Sequence, residues 1–329
     1  MTKVTIKDVA REAGVSISTV SNALNDVDVV NAETKGRVLD AAKRLKYIPN
    51  LNGKNLKIRK TKTIGFYTQS IEGFYYGMVA DAISKACEMR GYELVIHVTV
   101  YKKRVIRSIL GHNEDGVIII YEDLDNELYD SIKEYGIPVV FLEREICSEK
   151  ISSVSFDSYG AGKVAARCLI DAGRKRIGYV RGVVGSYDDD ERFRGFIDEI
   201  RNSDAVYDKS ADIIGWFEER KSYNVVTEYL RNTPDDKYVD AFFAANDTSA
   251  IGCINAIMDF GLNVPEDISV VGCDGIDLTK FVKPVVTTVK NPIDDQGRTA
   301  VELLIDLIDE VGLGMSVKLP VKLERGESV

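Results

Sequence analysis

Only two of the 329 residues are histidine, His97 and His112, and neither stands beside a nucleophile or at a metal-ligand spacing. That removes the usual general base and argues against an enzyme. The five cysteines, Cys87, Cys147, Cys168, Cys253 and Cys273, form no CxxC pair, so neither a zinc site nor a disulfide framework is indicated. Their plain reading is buried free thiols in a reducing compartment. Gly178, Gly182 and Gly185 do not fit GxGxxG, so no dinucleotide fingerprint is present. No cofactor and no metal are expected. No apolar run approaches the ~18 residues of a membrane span. Lys3, Lys7 and Asp8 interrupt the start, and no apolar stretch follows, so a secretory leader is not predicted. The expectation is a soluble, cytoplasmic protein with no membrane partner.

What the chain does have is size and a divided charge. Its length suggests two or three domains, and 45% hydrophobic residues suffice for a sizeable core. The net charge of −9 is not spread evenly. Residues 1–62 carry 13 Lys+Arg against 6 Asp+Glu, a net of +7; the remainder carries 30 against 46, a net of −16. A basic head on an acidic body is the asymmetry expected when only the head meets phosphate.

The head contains TIKDVAREAGVSISTVSNALN, Thr5 to Asn25. Ile6, Val9, Ala10 and Ala13 repeat at helical spacing and form one apolar face. Gly14 falls where that helix must stop and turn. Ser16 suits the N-cap of a second helix, with Val20, Ala23 and Leu24 inward. A third amphipathic helix is expected over about 32–45, with Val38, Leu39, Ala42 and Leu45 inward. This is the layout of a helix-turn-helix, whose second helix enters the major groove. On that helix Ile17, Ser18 and Asn22 face outward: an Asn amide can pair with adenine and an Ile side chain can cover a thymine methyl.

The segment resembles the headpiece of the lactose-repressor (LacI/GalR) family of bacterial transcription factors, and the resemblance runs through nearly the whole chain. It implies phosphate contacts from Thr5, Ser16, Thr19, Ser21 and Asn25, with Tyr47 also reaching the backbone. It further implies a hinge helix in the basic stretch LNGKNLKIRKTK, with Leu56 as a wedge into the minor groove of operator DNA. Gly53 is a poor helix former, so this hinge should order only on DNA. The resulting organisation is a DNA-binding head over 1–48, a hinge over 49–62 and an effector-binding and dimerisation domain over 63–329.

From Thr63 short apolar strands alternate with helical stretches: TIGFYT, ELVIHVTV, GVIIIY, PVVFLE, RIGYVRG, AFFAAND and ISVVGCD. Continuous apolar runs predict parallel sheets buried on both faces. The fold class is therefore α/β, a small all-α head joined to a two-lobed, doubly wound body. The break is expected near residue 150, with a crossover at TTVKNP, 287–292. The body resembles a periplasmic-binding-protein type I fold, and VKLPVKLERG resembles the family's last strand. No heptad repeat follows it, so a tetramerisation helix is not expected.

Ligands of open α/β sheets bind at the carboxyl ends of strands. There the resemblance implies effector contacts from Phe74 and Tyr75, from Arg192 in RxxGF, from Asp274 in VVGCDG, and from Asn246 and Asn291. Gln69 and Ser70 could hydrogen-bond there, although QSIEGFYYG departs from the family's IPDxxNPFF. Phe217, or its neighbour Trp216, supplies an apolar wall. The acids Asp188 to Glu191 precede a helix and read as a solvated, dipole-matched start rather than a metal site. The functional expectation is a repressor that binds near-palindromic double-stranded operator DNA as a homodimer, controlled by a small-molecule effector of carbohydrate type. Two rivals remain. A transport-type sugar-binding protein would share the body but need a leader and no head. A catabolite-control regulator would answer mainly to a protein partner.

Overall fold

A computed structural model describes residues 4–25, 27–47, 60–111, 114–121 and 126–329. It divides into two compact units, Met1–Thr61 and Lys62–Val329. Gly53, Leu56 and His112 lie outside the described residues.

The first unit is three helices, α1 (Ile6–Ala13), α2 (Ile17–Leu24) and α3 (Ala32–Arg44). Asp8 accepts from the Thr5 N–H at 2.9 Å and from the Thr5 hydroxyl at 2.7 Å, which fixes the start of α1. Gly14 ends α1 at φ 66°, the left-handed conformation its missing Cβ permits. The Ser16 hydroxyl then accepts from the Thr19 N–H at 3.1 Å and starts α2. Val9, Ala10, Ala13, Val20, Ala23, Val38, Ala41 and Ala42 form the small core. Leu39 is not part of it. It stands 46% exposed, because the inward stripe of α3 runs through 38, 41 and 42 and places 39 off that face.

The second unit carries two six-stranded sheets. The first lobe contains β1 (Thr63–Thr68), α4 (Phe74–Met89), β2 (Glu93–Val98), α5 (Lys102–Gly111), β3 (Gly116–Ile120), α6 (Asn126–Tyr135), β4 (Val139–Leu142) and β5 (Ile151–Phe156). The second contains α7 (Ser158–Asp171), β6 (Arg176–Arg181), α8 (Tyr187–Arg201), β7 (Val206–Ile214), α9 (Glu219–Asn232), β8 (Ala241–Ala244), α10 (Asp247–Asp259), β9 (Ser269–Asp274) and β10 (Thr287–Lys290). The chain then returns to the first lobe with α11 (Ile293–Ile308) and β11 (Ser316–Leu319), and ends in the second with β12 (Lys322–Glu324).

Strand orders are β11-β5-β4-β3-β1-β2 and β12-β10-β9-β8-β6-β7. Every pairing is parallel except β10 with β12. Each sheet reverses its order between its first and third strands, β1/β3 and β6/β8, the switch points where doubly wound sheets open a crevice. Apolar clusters cover both faces of both sheets.

The lobes join at three places. The first crossing follows β5, at Asp157. The second follows β10, at Asn291 and Pro292. The third, between Leu319 and Lys322, was not anticipated. The closing segment read as one strand is two, one in each sheet, and Val321 between them packs on both cores. Two more strands escaped the reading. β5 (ISSVSF) is fully buried, but its serines break the apolar run, and β7 (VYDKSADII) is a half-exposed edge. Among the described residues no helix is long and apolar enough to cross a membrane. Four cysteines are buried and Cys147, in the loop after β4, is exposed, so the expectation of buried thiols fails at that position.

Candidate functional site

Residues 17, 18, 21, 22 and 25 share the outer stripe of α2, opposite buried Val20 and Ala23. Ile17 at its start is 45% exposed. Ser18 is exposed and Asn22 half-buried. The other small polar residues are engaged at home. Thr5 donates to Asp8; Ser16 meets Ser18 at 2.7 Å and Thr19 at 2.8 Å; Asn25 donates to the Ser21 carbonyl at 2.7 Å. Their bonds hold the helix ends, so any phosphate contact would share these groups. Tyr47 packs against the head core.

The second unit has a cleft of about 860 Å³, counted out to its solvent mouth, between the two lobes. The loops after β1, β3, β4, β6, β8 and β9 all reach it, which follows from the carboxyl-end geometry of both sheets. It gathers Phe74, Tyr75, Arg192, Phe217, Asn246 and Asp274 from the sequence reading. Gln69 and Ser70 do not line it. Ser70 instead makes a turn, its carbonyl accepting from Thr68 and its hydroxyl from the Glu72 N–H. Asn291 also stands back from the wall. It is buried and donates to Asp274 Oδ1 at 3.0 Å, which orients that carboxylate.

Arg192 is the centre of the site. It lies on α8, 5% exposed, donating through Nη1 to the Ala245 carbonyl at 2.9 Å, with Nη2 3.8 Å from Asp274 Oδ1. Its Nε is buried with no partner. Burial opposes its charge, yet Cys273, Asp188 and Asp274 around it hold the guanidinium protonated well above its usual range. A buried donor left unbonded costs free energy unless a ligand takes it. The helix can sit this deep because α7 and α8 cross through glycines. A Cβ on Gly162 would lie 1.9 Å from the Arg192 carbonyl oxygen, and one on Gly195 2.0 Å from that of Tyr159.

Phe217 forms a wall with its ring directly over Gly182, where no Cβ could fit. Its carbonyl accepts from Asn246 at 3.2 Å and Thr248 at 2.8 Å. Glu143, Phe217 and Asp274, all lining this cleft, have positive φ, between 60° and 112°. Non-glycine strain of this kind clusters where a site must be held in shape. Tyr75 spends its hydroxyl on Gln296 at 2.9 Å, and burial, followed by Glu143 and Asp188, pushes its pKa well up.

Sequence reasoning missed Arg144, Glu143, Tyr121, Phe156, Ser186 and Tyr187, all of which line the cleft. Most follow strand ends, and the carboxyl-end rule applied to GVIIIY and PVVFLE would have found Tyr121, Glu143 and Arg144. Arg144 donates to the Tyr121 carbonyl, and its Nε, like that of Arg192, is buried without a partner. Tyr187, on the second lobe, donates at 2.7 Å to Glu145 on the first, which also pairs with Lys318 at 2.5 Å. This polar strap spans the cleft. The acidic run is a correction. Asp189 is fully buried, accepting from Tyr179, Arg181 and the Gly182 N–H, and Asp188 is buried beside Ser158. Asp189 ties the helix start to β6, and Asp188 ties it to the start of α7.

Burial pushes the Asp274 carboxyl up to about 6, with Asp188 adding to the rise and Arg192 and Asn291 opposing it. Burial also pushes Asp247 well up, with Asp274 adding to it. A carboxyl whose folded pKa is raised favours the folded state below its unfolded pKa of 3.8, and that contribution is lost as pH climbs through 6. Asp274→Asn is therefore expected to melt several degrees higher than the parent at pH 8, with the gain shrinking towards pH 4. Thermal unfolding across that range checks it; a lower melting point at pH 8 would contradict the burial argument.

Residues 5–50 match the family described as bacterial regulatory proteins, lacI family, and residues 166–329 match a periplasmic binding protein-like domain. The chain is 32% identical over 310 residues to the HTH-type transcriptional repressor PurR of Pectobacterium carotovorum subsp. carotovorum strain PC1, covering 92% of this chain and 90% of that one. A transcriptional regulator CelR–cellobiose complex aligns at TM-score 0.75 with 28% identity, covering 99% of this chain and all of that one. A lac repressor dimer bound to operator and the anti-inducer ONPF aligns at TM-score 0.84 with 25% identity, covering 99% of each chain.

Proposed function

Because the chain belongs to the lacI family of bacterial regulatory proteins, we propose that it acts as a homodimeric repressor whose two heads read the halves of a near-palindromic operator. It is a DNA-binding repressor controlled by a small-molecule effector, not an enzyme. Ile17, Ser18 and Asn22 read base edges, while Thr5, Ser16, Thr19, Ser21, Asn25 and Tyr47 meet phosphate. Leu56 wedges into the minor groove at the operator centre. The effector, a carbohydrate, binds between the lobes on Phe74, Tyr75, Arg192, Phe217, Asn246 and Asp274. The observation that carries this assignment is Arg192, a buried guanidinium with an unpartnered Nε, in the wall of a cleft lined by both lobes.

In this reading the effector is a wedge or clasp between lobes. It makes contacts in one lobe orientation that it lacks in another, and so shifts the balance between them. The first lobe begins at Thr63, directly after the hinge, so lobe orientation sets where the hinges start. In this reading the head spans 1–48, the hinge 49–62 and the effector and dimer domain 63–329.

The DNA assignment has its own test. Asn22→Ala is expected to weaken a duplex selected by the protein from random DNA by about 1–3 kcal/mol, with little change on unselected duplex. Fluorescence anisotropy at fixed salt measures both; equal losses on the two duplexes would remove Asn22 from base reading.

A further inference from the structure

We propose that Tyr187 and Glu145 form a latch between the lobes, and that this latch, with no ligand needed, holds the orientation in which the heads bind DNA. The inference rests on the reading that lobe orientation sets where the hinges start.

Each half of the latch stands on a firm mount. Tyr187 opens α8, where the Ser186 hydroxyl caps the helix by accepting from the Asp189 N–H at 3.3 Å. Asp189 in turn accepts from Tyr179, Arg181 and the Gly182 N–H, which fixes this helix start to its own sheet. Glu145, on the first lobe, lies between two fixed neighbours. Arg144 donates to the Tyr121 carbonyl, and the Ile146 N–H donates to Ser153 Oγ of β5 at 3.1 Å. Glu145 Oε1 then takes the Tyr187 hydroxyl at 2.7 Å and the Lys318 ammonium at 2.5 Å. Lys318, followed by Tyr187, holds this carboxyl below its usual range, so the acceptor stays charged and the bond from the tyrosine is charge-assisted. Lys318 itself sits on β11, one residue before the third crossing begins at Leu319.

The surroundings match across the same seam. Residues 187, 191 and 194 recur at helical spacing along one stripe of α8. Glu191 acts on Lys318, and Arg194 acts on Glu145, each pair opposite in sign and drawn from opposite lobes. Glu145, Lys318 and Arg194 have side chains 39%, 45% and 61% exposed, so solvent screens each pair and keeps it weak. A weak contact suits a switch. Made in one lobe orientation only, it tilts the balance towards that orientation by its own strength, and a ligand can still overcome it. Tyr187 also lines the cleft, so a ligand there would meet one half of the latch.

The test is Tyr187→Phe, which removes the hydroxyl and keeps the ring. Amide hydrogen exchange on the full-length chain, with no ligand added, reads the lobes. Fluorescence anisotropy with a duplex selected by the protein from random DNA reads the head. The expected result is exchange at least about threefold faster across 143–148 and 183–190, unchanged exchange in α10, and DNA binding weaker by at least about threefold. Glu145→Ala should do the same. The double variant should be no worse than Glu145→Ala alone, because both substitutions break one bond. Unchanged exchange in Tyr187→Phe overturns the latch, and so does a further loss when Tyr187→Phe is added to Glu145→Ala. Faster exchange with tighter DNA binding overturns the assignment of the latched orientation to the DNA-binding state. Faster exchange with unaltered DNA affinity overturns the reading that lobe orientation governs the head, while the contact between the lobes stands.

Discussion

Arg192→Ala is expected to weaken effector binding roughly 30-fold or more while leaving the effector-free protein's affinity for DNA essentially unchanged. The reason is geometric and electrostatic together. The guanidinium is buried among Asp188 and Asp274, and it bonds the Ala245 carbonyl that lies at the end of β8. Truncating one partner of a buried, hydrogen-bonded charge pair costs roughly 2–5 kcal/mol, much of it from the charge left behind. Arg192→Lys separates charge from geometry. It keeps the cation but has no Nε donor in a planar fork, so it should recover little of the lost binding. Calorimetry for the effector and anisotropy for DNA, run on the same preparations, give the comparison. Effector affinity within threefold of the parent in Arg192→Ala would remove the residue from the site.

The second large effect is on the frame that holds Arg192 in place. In Gly162→Ala the new methyl would meet the Arg192 carbonyl oxygen at 1.9 Å and the Phe196 N–H nitrogen at 2.7 Å. Both are backbone atoms of α8, so no side chain can rotate away and the helices must part. Overpacking of a tight core costs about 1–3 kcal/mol and occasionally more; against rigid backbone we expect the upper end. At about 2–4 °C per kcal/mol for a body of this size, the melting point should drop by roughly 6–12 °C. Gly77→Ala is the control. That glycine, at an exposed position on α4, has nothing within 4 Å of a Cβ, and alanine favours helix there by up to about 1 kcal/mol. If the two variants melt alike, the close crossing of α7 and α8 is not what positions the site.

The head was the most legible part of the chain, because its signals are local. Thr5 with Asp8, Gly14, and Ser16 with Thr19 lie within four residues of the bonds they make. Leu39 escaped because an apolar residue one step off a stripe still looks like part of it. In the body, Arg192 and Asp274 were readable as residues at strand and helix ends in a motif. Arg144 was within reach of the same rule at the end of β4, whereas Tyr187 was not, since it acts through a partner distant in sequence, meeting Glu145 across 42 residues. The burial of Asp189 is of the same kind. Its acidic neighbours suggested solvent, whereas Tyr179, Arg181 and Gly182 from the preceding strand enclose it. Strand β5 was hidden by composition: Ser152, Ser153 and Ser155 are buried in a sheet interior where a reading by hydrophobicity expects none. The double ending at β11 and β12 was hidden by its brevity, two short strands with two residues between them.

The central claim is that occupancy of the cleft controls the head. It is measured most directly by titrating a self-selected operator duplex with the protein, with and without a saturating carbohydrate effector found by calorimetric screening, and then titrating that effector with and without the duplex. Coupling between two sites of one molecule is reciprocal and typically amounts to ~1–3 kcal/mol. The account predicts that the sugar shifts DNA affinity roughly 5–150-fold, and that DNA shifts sugar affinity by the same factor. DNA affinity unchanged by a saturated cleft would contradict it.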